Sequence, residues 1–151
     1  MAANDRYDQL LVWSDGAARG NPGPAALGIV IRDAATATVV RQLGRYLSDR
    51  LTNNEAEYLA FQAAVLAAAS LEPGRVTFHT DSALVANQLD GRWKIREERL
   101  RAHHDRIREL LTRLPAYSIV SVPRARNRQA DTLANRALDG FPIDEPLRHG
   151  G

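Results

Sequence analysis

Two short apolar runs, each closed by a lone carboxylate, constrain this chain more than any other feature. Residues 10–13, LLVW, read as a buried strand, and the run stops at Ser14-Asp15-Gly16. Residues 76–79, VTFH, read the same way and stop at Thr80-Asp81. A lone Asp before a Gly would ordinarily open a solvent-facing turn, and a buried charge is costly without a partner. The recurrence points to a shared purpose. If the two strands are parallel neighbours, their ends lie about 5 Å apart. Both carboxylates can then grip one cation.

The remaining pattern supplies a frame for that pairing. A Gly/Pro turn, GNPGP at 20–24, separates the first run from apolar residues 27–32, and residues 38–47 form a third strand with β-branched content. Residues 51–71 change period and read as a long Ala-rich helix. Its packed face is expected to carry Ala56, Leu59, Ala63 and Leu66. Pro73-Gly74 ends it, and residues 75–80 form a fourth strand. Strand, helix, strand implies a right-handed crossover onto a mixed sheet. A short helix at 82–89, a basic amphipathic helix at 97–114, a fifth strand at 118–122 and a last helix at 127–138 complete the pattern. The 151 residues suit one domain over 1–139. Residues 1–8 are expected to be loose, and the Gly- and Pro-rich 140–151 are expected to form a C-terminal tail.

Composition narrows the class. There is no cysteine, so no disulfide framework and no thiolate metal site. No apolar run approaches bilayer length, and the polar N-terminus lacks a signal-peptide core. These features predict a cytoplasmic protein with no membrane contact. Nothing calls for an obligate protein partner, and a monomer is expected. Lys94 is the only lysine, so nearly all positive charge is arginine, whose planar fork suits phosphate. Basic residues concentrate from Arg92 to Arg113 and again at Arg124, Arg126 and Arg128. That surface permits contact with a nucleic acid backbone.

Two further carboxylates lack a structural excuse. Asp131 lies early in the last helix. The segment TNNEAEY at 52–58 offers two glutamates. Thr52 and Glu55 have capping-box spacing, which gives Glu55 a structural job. Glu57 sits about 200° further round the helix and is the one expected to face a site. Converging carboxylates repel, and some protonate unless a cation neutralises them. Oxygen ligands without His or Cys favour magnesium or manganese over zinc or copper. Two such ions roughly 4 Å apart suit phosphoryl transfer. The net charge is +2, so once the four acids are set aside the rest of the chain is a distinctly basic frame.

SDGAARGNPGP, TNNEAEY, HTDSALV and NRQADTLANRA, in that order, resemble the four signature segments of type I ribonuclease H. The resemblance spans residue 10 to about 139. It implies an α/β fold with a ribonuclease H-like mixed five-stranded sheet and helices on both faces. It also implies an endoribonuclease that cuts the RNA strand of an RNA/DNA hybrid with two Mg2+ (or Mn2+) ions, leaving 3′-hydroxyl and 5′-phosphate ends. By the same resemblance, Asp15, Glu57, Asp81 and Asp131 are the metal-binding, catalytic carboxylates. Asp15 would touch both ions, and Glu57 would sit between a metal and the RNA 2′-hydroxyl. Gly16, Asn21, Asn53 and Asn54 match substrate-binding positions, the asparagines reading the minor groove and 2′-hydroxyls. Arg50 and Thr52 resemble part of a DNA phosphate pocket. On the residues alone, Asn21 makes a turn and Asn53 caps a helix.

Two departures from the family pattern stand out. Many relatives carry a lysine-rich helical protrusion after the short helix. Here Gly91-Arg92-Trp93-Lys94 runs almost directly into the basic helix, which resembles the subgroup lacking that protrusion. Substrate grip then falls to the core and to arginines near Arg92–Arg101, with Trp93 either stacking on the DNA strand or closing the core edge. Many members also place a histidine before the last helix. This chain has none there, and Arg124 resembles the arginine that replaces it; it cannot act as a base near neutral pH but can hold a phosphate. His79 is expected to be structural, and His103 and His104, about 100° apart on a helix, cannot pair as zinc ligands. A hybrid-binding module that no longer cuts, and a DNA strand-transfer or exonuclease enzyme of the same fold, are the rival readings.

Overall fold

The computed structural model of the protein describes residues 7–146. The first six and last five residues, on which parts of the expected loose start and tail fall, lie outside the described residues. Strands β1 (Gln9–Ala18), β2 (Gly23–Asp33) and β3 (Val39–Leu51) form an antiparallel meander. Helix α1 (Asn53–Ala69) crosses to β4 (Arg75–Thr80), which pairs parallel with β1. Helices α2 (Ala83–Leu89) and α3 (Glu98–Leu111) lead to β5 (Tyr117–Ser121), parallel to β4. A single 3-10 turn at Arg124–Arg126 introduces α4 (Arg128–Leu138).

The sheet has six strands, not the expected five. Its order is β5-β4-β1-β2-β3-β6, where β6 (Ile143–Pro146) falls in the segment read as a tail. Two prolines, Pro142 and Pro146, disguise it, but both tolerate an edge position. Its residues pair antiparallel with Arg41–Gly44, and Asp144 takes a salt bridge from Arg41 at 2.9 Å.

Helices cover both faces, as expected. Successive strand residues point to opposite faces, and two glycines show it. A Cβ on Gly16 would lie 2.2 Å from the Ala56 carbonyl oxygen of α1, and one on Gly28 would lie 1.9 Å from that of Ala130 in α4. Gly28 stands opposite Asp15 in the ladder, so Asp15 issues on the α4 face. The core lies mainly between sheet and α1, where Leu10, Val12, Leu27, Ile29, Phe78, Tyr58, Phe61 and Val65 are buried. The α1 face differs from expectation. Ala56, Ala60, Ala64 and Ala68 pack inward with Tyr58, Phe61 and Val65, whereas Leu66 is 43% exposed and Leu59 and Ala63 are half-buried. Apolar residues run almost all round this helix, so periodicity could not choose the face; close approach to the sheet selects alanine.

Candidate active site

The register places the first two acids. β1 and β4 pair in parallel up to Ser14 opposite Thr80, so Asp15 and Asp81 follow at the same level. β1 does not stop there, as its apolar run suggested. It continues to Ala18 because β2 still pairs with it. Its edge toward β4 is therefore open beyond Ser14. The Gly16 N–H on that stretch donates to Glu57 Oε1 at 2.7 Å. That bond carries Glu57 from the α1 face to the same spot. Oxygens of Asp15, Glu57 and Asp81 all lie within 4.8 Å of one another. The Asp131 carboxyl, from the first turn of α4, lines the same cleft and lies close enough to Asp15 to raise its carboxyl.

The choice between the two glutamates comes out as the capping argument predicts. Thr52 Oγ1 accepts from the Glu55 N–H at 3.1 Å, and Glu55 Oε1 accepts from the Thr52 N–H at 3.0 Å. Thr52, not Asn53, is the cap. Glu55 also faces Arg99 at 3.7 Å and stays out of the cluster.

The electrostatics are those of acids crowded without compensation. Asp15 is only 5% exposed. Burial first, then the neighbouring acids Glu57, Asp81 and Asp131, push its carboxyl up to about 9. Burial likewise pushes Glu57 up to about 8, against the Gly16 N–H and the Arg124 charge, which favour its ionised form. Such a set is unstable as four anions and suits a divalent cation. All donors are hard oxygens, so Mg2+ or Mn2+ fits better than a softer metal.

The acids line a polar cleft of about 390 Å³ with Gly16, Asn53, Asn54, Ser82 and Arg124. Asn54 Nδ2 donates to Glu97 Oε1 at 2.9 Å, and the Asn53 N–H donates to Asn21 Oδ1 at 3.0 Å. Asn21 thus braces the start of α1 from the Gly/Pro turn. Asn21, Thr52 and Arg50 do not line the cleft; Arg50 is exposed at the end of β3. A neighbouring groove of about 510 Å³ is lined by Arg92, Trp93, Lys94, Arg96 and Glu97. Trp93 is 49% exposed there, not closing the core. His79 is structural: its Nδ1 meets the Val12 carbonyl at 2.9 Å and its ring stacks on Trp13 at 4.5 Å.

Two residues near the site escaped the sequence reading. Asn127 is 1% exposed, and its Nδ2 donates to the Ser14 carbonyl at 2.9 Å. Asn135 Nδ2 donates to Asp131 Oδ1 at 3.2 Å. Their signal was spacing: each stands four residues from Asp131, one helical turn away.

Comparison with known proteins agrees with this geometry. A family profile described as reverse transcriptase-like matches residues 13–137. Ribonuclease HI of Halobacterium salinarum is 45% identical over 135 residues, covering 89% of this chain and 67% of that protein. The crystal structure of RNase H1 from the same archaeon superposes with a TM-score of 0.84, covering 87% of this chain and 98% of that one. LC11-RNase H1, solved in complex with RNA/DNA hybrid, superposes at 0.81 with 32% identity, covering 87% and 97%. A bifunctional protein of Mycobacterium tuberculosis is 37% identical over 87% of this chain, which spans 36% of that protein's length. No helix among the described residues is long and apolar enough to cross a membrane. On the profile, the identity and the superposition together, the chain belongs to the type I ribonuclease H family.

Proposed function

We propose that this protein is an endoribonuclease that hydrolyses the RNA strand of RNA/DNA hybrids with two divalent ions, Mg2+ or Mn2+, leaving 3′-hydroxyl and 5′-phosphate ends. The observation that carries the proposal is the convergence of Asp15, Glu57 and Asp81 within 4.8 Å, with Asp131 lining the same cleft. The family membership and the hybrid bound to LC11-RNase H1 supply the substrate class.

Asp15, Glu57, Asp81 and Asp131 would hold the ions, with Asp15 central to the set. Bound divalent ions supply Lewis-acid polarisation of the scissile phosphate and an activated water. A water oxygen would bond to phosphorus as the bond from phosphorus to O3′ breaks, so O3′ leaves with a proton as the 3′-hydroxyl of one fragment and the phosphate stays on the 5′ oxygen of the other. Gly16 keeps Glu57 aimed into the cleft through its N–H. Asn53 and Asn54 offer amides at the cleft wall, where a 2′-hydroxyl separates RNA from DNA. Arg124, on the same wall, can hold a phosphate. The loop between α2 and α3, with Arg92, Lys94 and Arg96, takes the DNA backbone, and Trp93 offers a stacking face.

The experiment is end-labelled hybrid, duplex RNA and duplex DNA incubated with Mg2+, with and without chelator. RNA-strand cleavage confined to the hybrid and abolished by chelator is expected. Binding of hybrid without cleavage would make the protein a binding module, and cleavage of duplex DNA would overturn the substrate assignment.

A further inference from the structure

Asn127, Asp131, Asn135 and Asp139 recur every four residues, so they form one stripe along α4. The stripe faces the end of β1. Asp131 meets Asp15 there, and four residues further along the chain Arg19 returns to the same helix. Arg19 Nη1 bonds Asp139 Oδ1 at 2.7 Å, while its Nη2 lies 3.3 Å from the Asn135 carbonyl and 3.4 Å from Asn135 Oδ1. On its other side Asn135 Nδ2 donates to the Asp131 carbonyl at 3.0 Å and to Asp131 Oδ1 at 3.2 Å.

These neighbours leave the Asn135 amide one orientation. Arginine has donors only, and an ionised carboxylate accepts only. The amide oxygen must face Arg19 and the amide nitrogen must face Asp131. A half-buried aspartate on a helix surface would otherwise turn broadly about its terminal torsion. With one oxygen engaged by Asn135, its carboxylate is held toward Asp15. Asn127 fixes the start of the helix to the Ser14 carbonyl; Asn135 fixes the side chain.

We propose that Asn135, braced by Arg19, is a positioning residue that orients the Asp131 carboxylate for metal binding and hybrid cleavage. The proposal rests on the function proposed above. Fastened outer partners of metal ligands are worth about tenfold or more in affinity or rate.

The test uses the full chain with Asn135→Ala and Asn135→Asp, each also in an Asp131→Asn background. Equilibrium Mn2+ binding without substrate, thermal stability, and kcat and KM on hybrid are measured. Asn135→Ala is expected to weaken Mn2+ binding and lower kcat, each about tenfold, with little change in KM. Asn135→Asp keeps the shape and gains an ion pair with Arg19, but replaces the donor with a second anion facing Asp131. It is expected to lower kcat although the side chain keeps its shape and its Arg19 contact, a loss that a packing role would not give. In the Asp131→Asn background the effect of Asn135→Ala on Mn2+ binding should vanish. Wild-type kcat in Asn135→Asp, or an undiminished Asn135→Ala effect on Mn2+ binding without Asp131, would overturn the proposal. If the wild-type protein cuts no hybrid, the proposed function fails, and the Mn2+ comparisons still decide the role of Asn135.

Discussion

The backbone N–H of Gly16 donates to Glu57 Oε1 at 2.7 Å, one residue beyond Asp15. This bond joins the two faces of the sheet at the site. Asp15 issues toward α4 and Glu57 arrives from α1, yet both carboxylates end within one coordination sphere's reach. Gly16 permits it because a side chain there would strike the α1 backbone.

Asp15 bears most of the crowding, so removing its charge separates stability from activity. Asp15→Asn is expected to abolish cleavage and to raise Tm in chelator. Relief of about 1 kcal/mol corresponds to roughly 2–4 °C in a chain of this size. Calorimetry beside a hybrid-cleavage assay checks both; retained activity would remove Asp15 from the mechanism.

The raised carboxyls also set a pH dependence. Asp15 is held up to about 9 and Glu57 up to about 8, so the folded protein binds protons there that the unfolded chain has released. By linkage their contribution is fully present below the ordinary carboxylate range. It is lost as pH rises through about 8 and 9. In chelator, wild-type Tm should fall between pH 5 and pH 9 more steeply than that of Asp15→Asn. Mg2+ should flatten the wild-type fall, since metal displaces those protons. Equal slopes in the two proteins would contradict the assignment.

The two glutamates of α1 should behave oppositely. Glu55→Ala removes half of the capping box and costs about 1 kcal/mol of stability, with cleavage retained. Glu57→Gln should leave the fold and eliminate cleavage. Paired Tm and rate measurements on both variants decide it.

Gly28 lets α4 lie against β2. A methyl group there would meet the Ala130 carbonyl oxygen at 1.9 Å. Gly28→Ala is therefore expected to cost about 1–3 kcal/mol or more and to reduce cleavage, because it displaces the helix that carries Asp131. A chemical-denaturation curve matching wild type would show that α4 is not seated as described.

The loop of Arg92, Lys94 and Arg96 should contribute affinity rather than chemistry. Replacing all three with Gln is expected to raise KM for hybrid with kcat little changed. The dependence of log affinity on log salt should become shallower by roughly 0.9 for each phosphate that the loop no longer neutralises, taking the B-DNA coefficient for the hybrid. An unchanged slope would place the substrate elsewhere.

Much of this was legible in the chain, for identifiable reasons. Parallel pairing of β1 and β4 follows from strand, helix, strand order, and it fixes Asp15 beside Asp81. The capping box separated Glu55 from Glu57 because its geometry is local. What escaped depended on tertiary partners. β6 was hidden because it has only four residues, preceded by Pro142 and ending in Pro146, and its pairing is decided by the free edge of β3. The packed face of α1 was misplaced because apolar residues lie almost all round that helix and give periodicity no contrast. Asn135 looked like an ordinary helix residue, and its importance lies in Arg19, which stands 116 residues away.

The central claim is that Asp15, Glu57, Asp81 and Asp131 gather divalent ions at the end of β1. An anomalous difference map from crystals of the protein grown with Mn2+ tests it most directly. Peaks within coordination distance of Asp15, Glu57 and Asp81 are expected, with loss of the signal in Asp15→Asn. A map with no peak at this cleft at saturating Mn2+, or with the peak unchanged in Asp15→Asn, would contradict it.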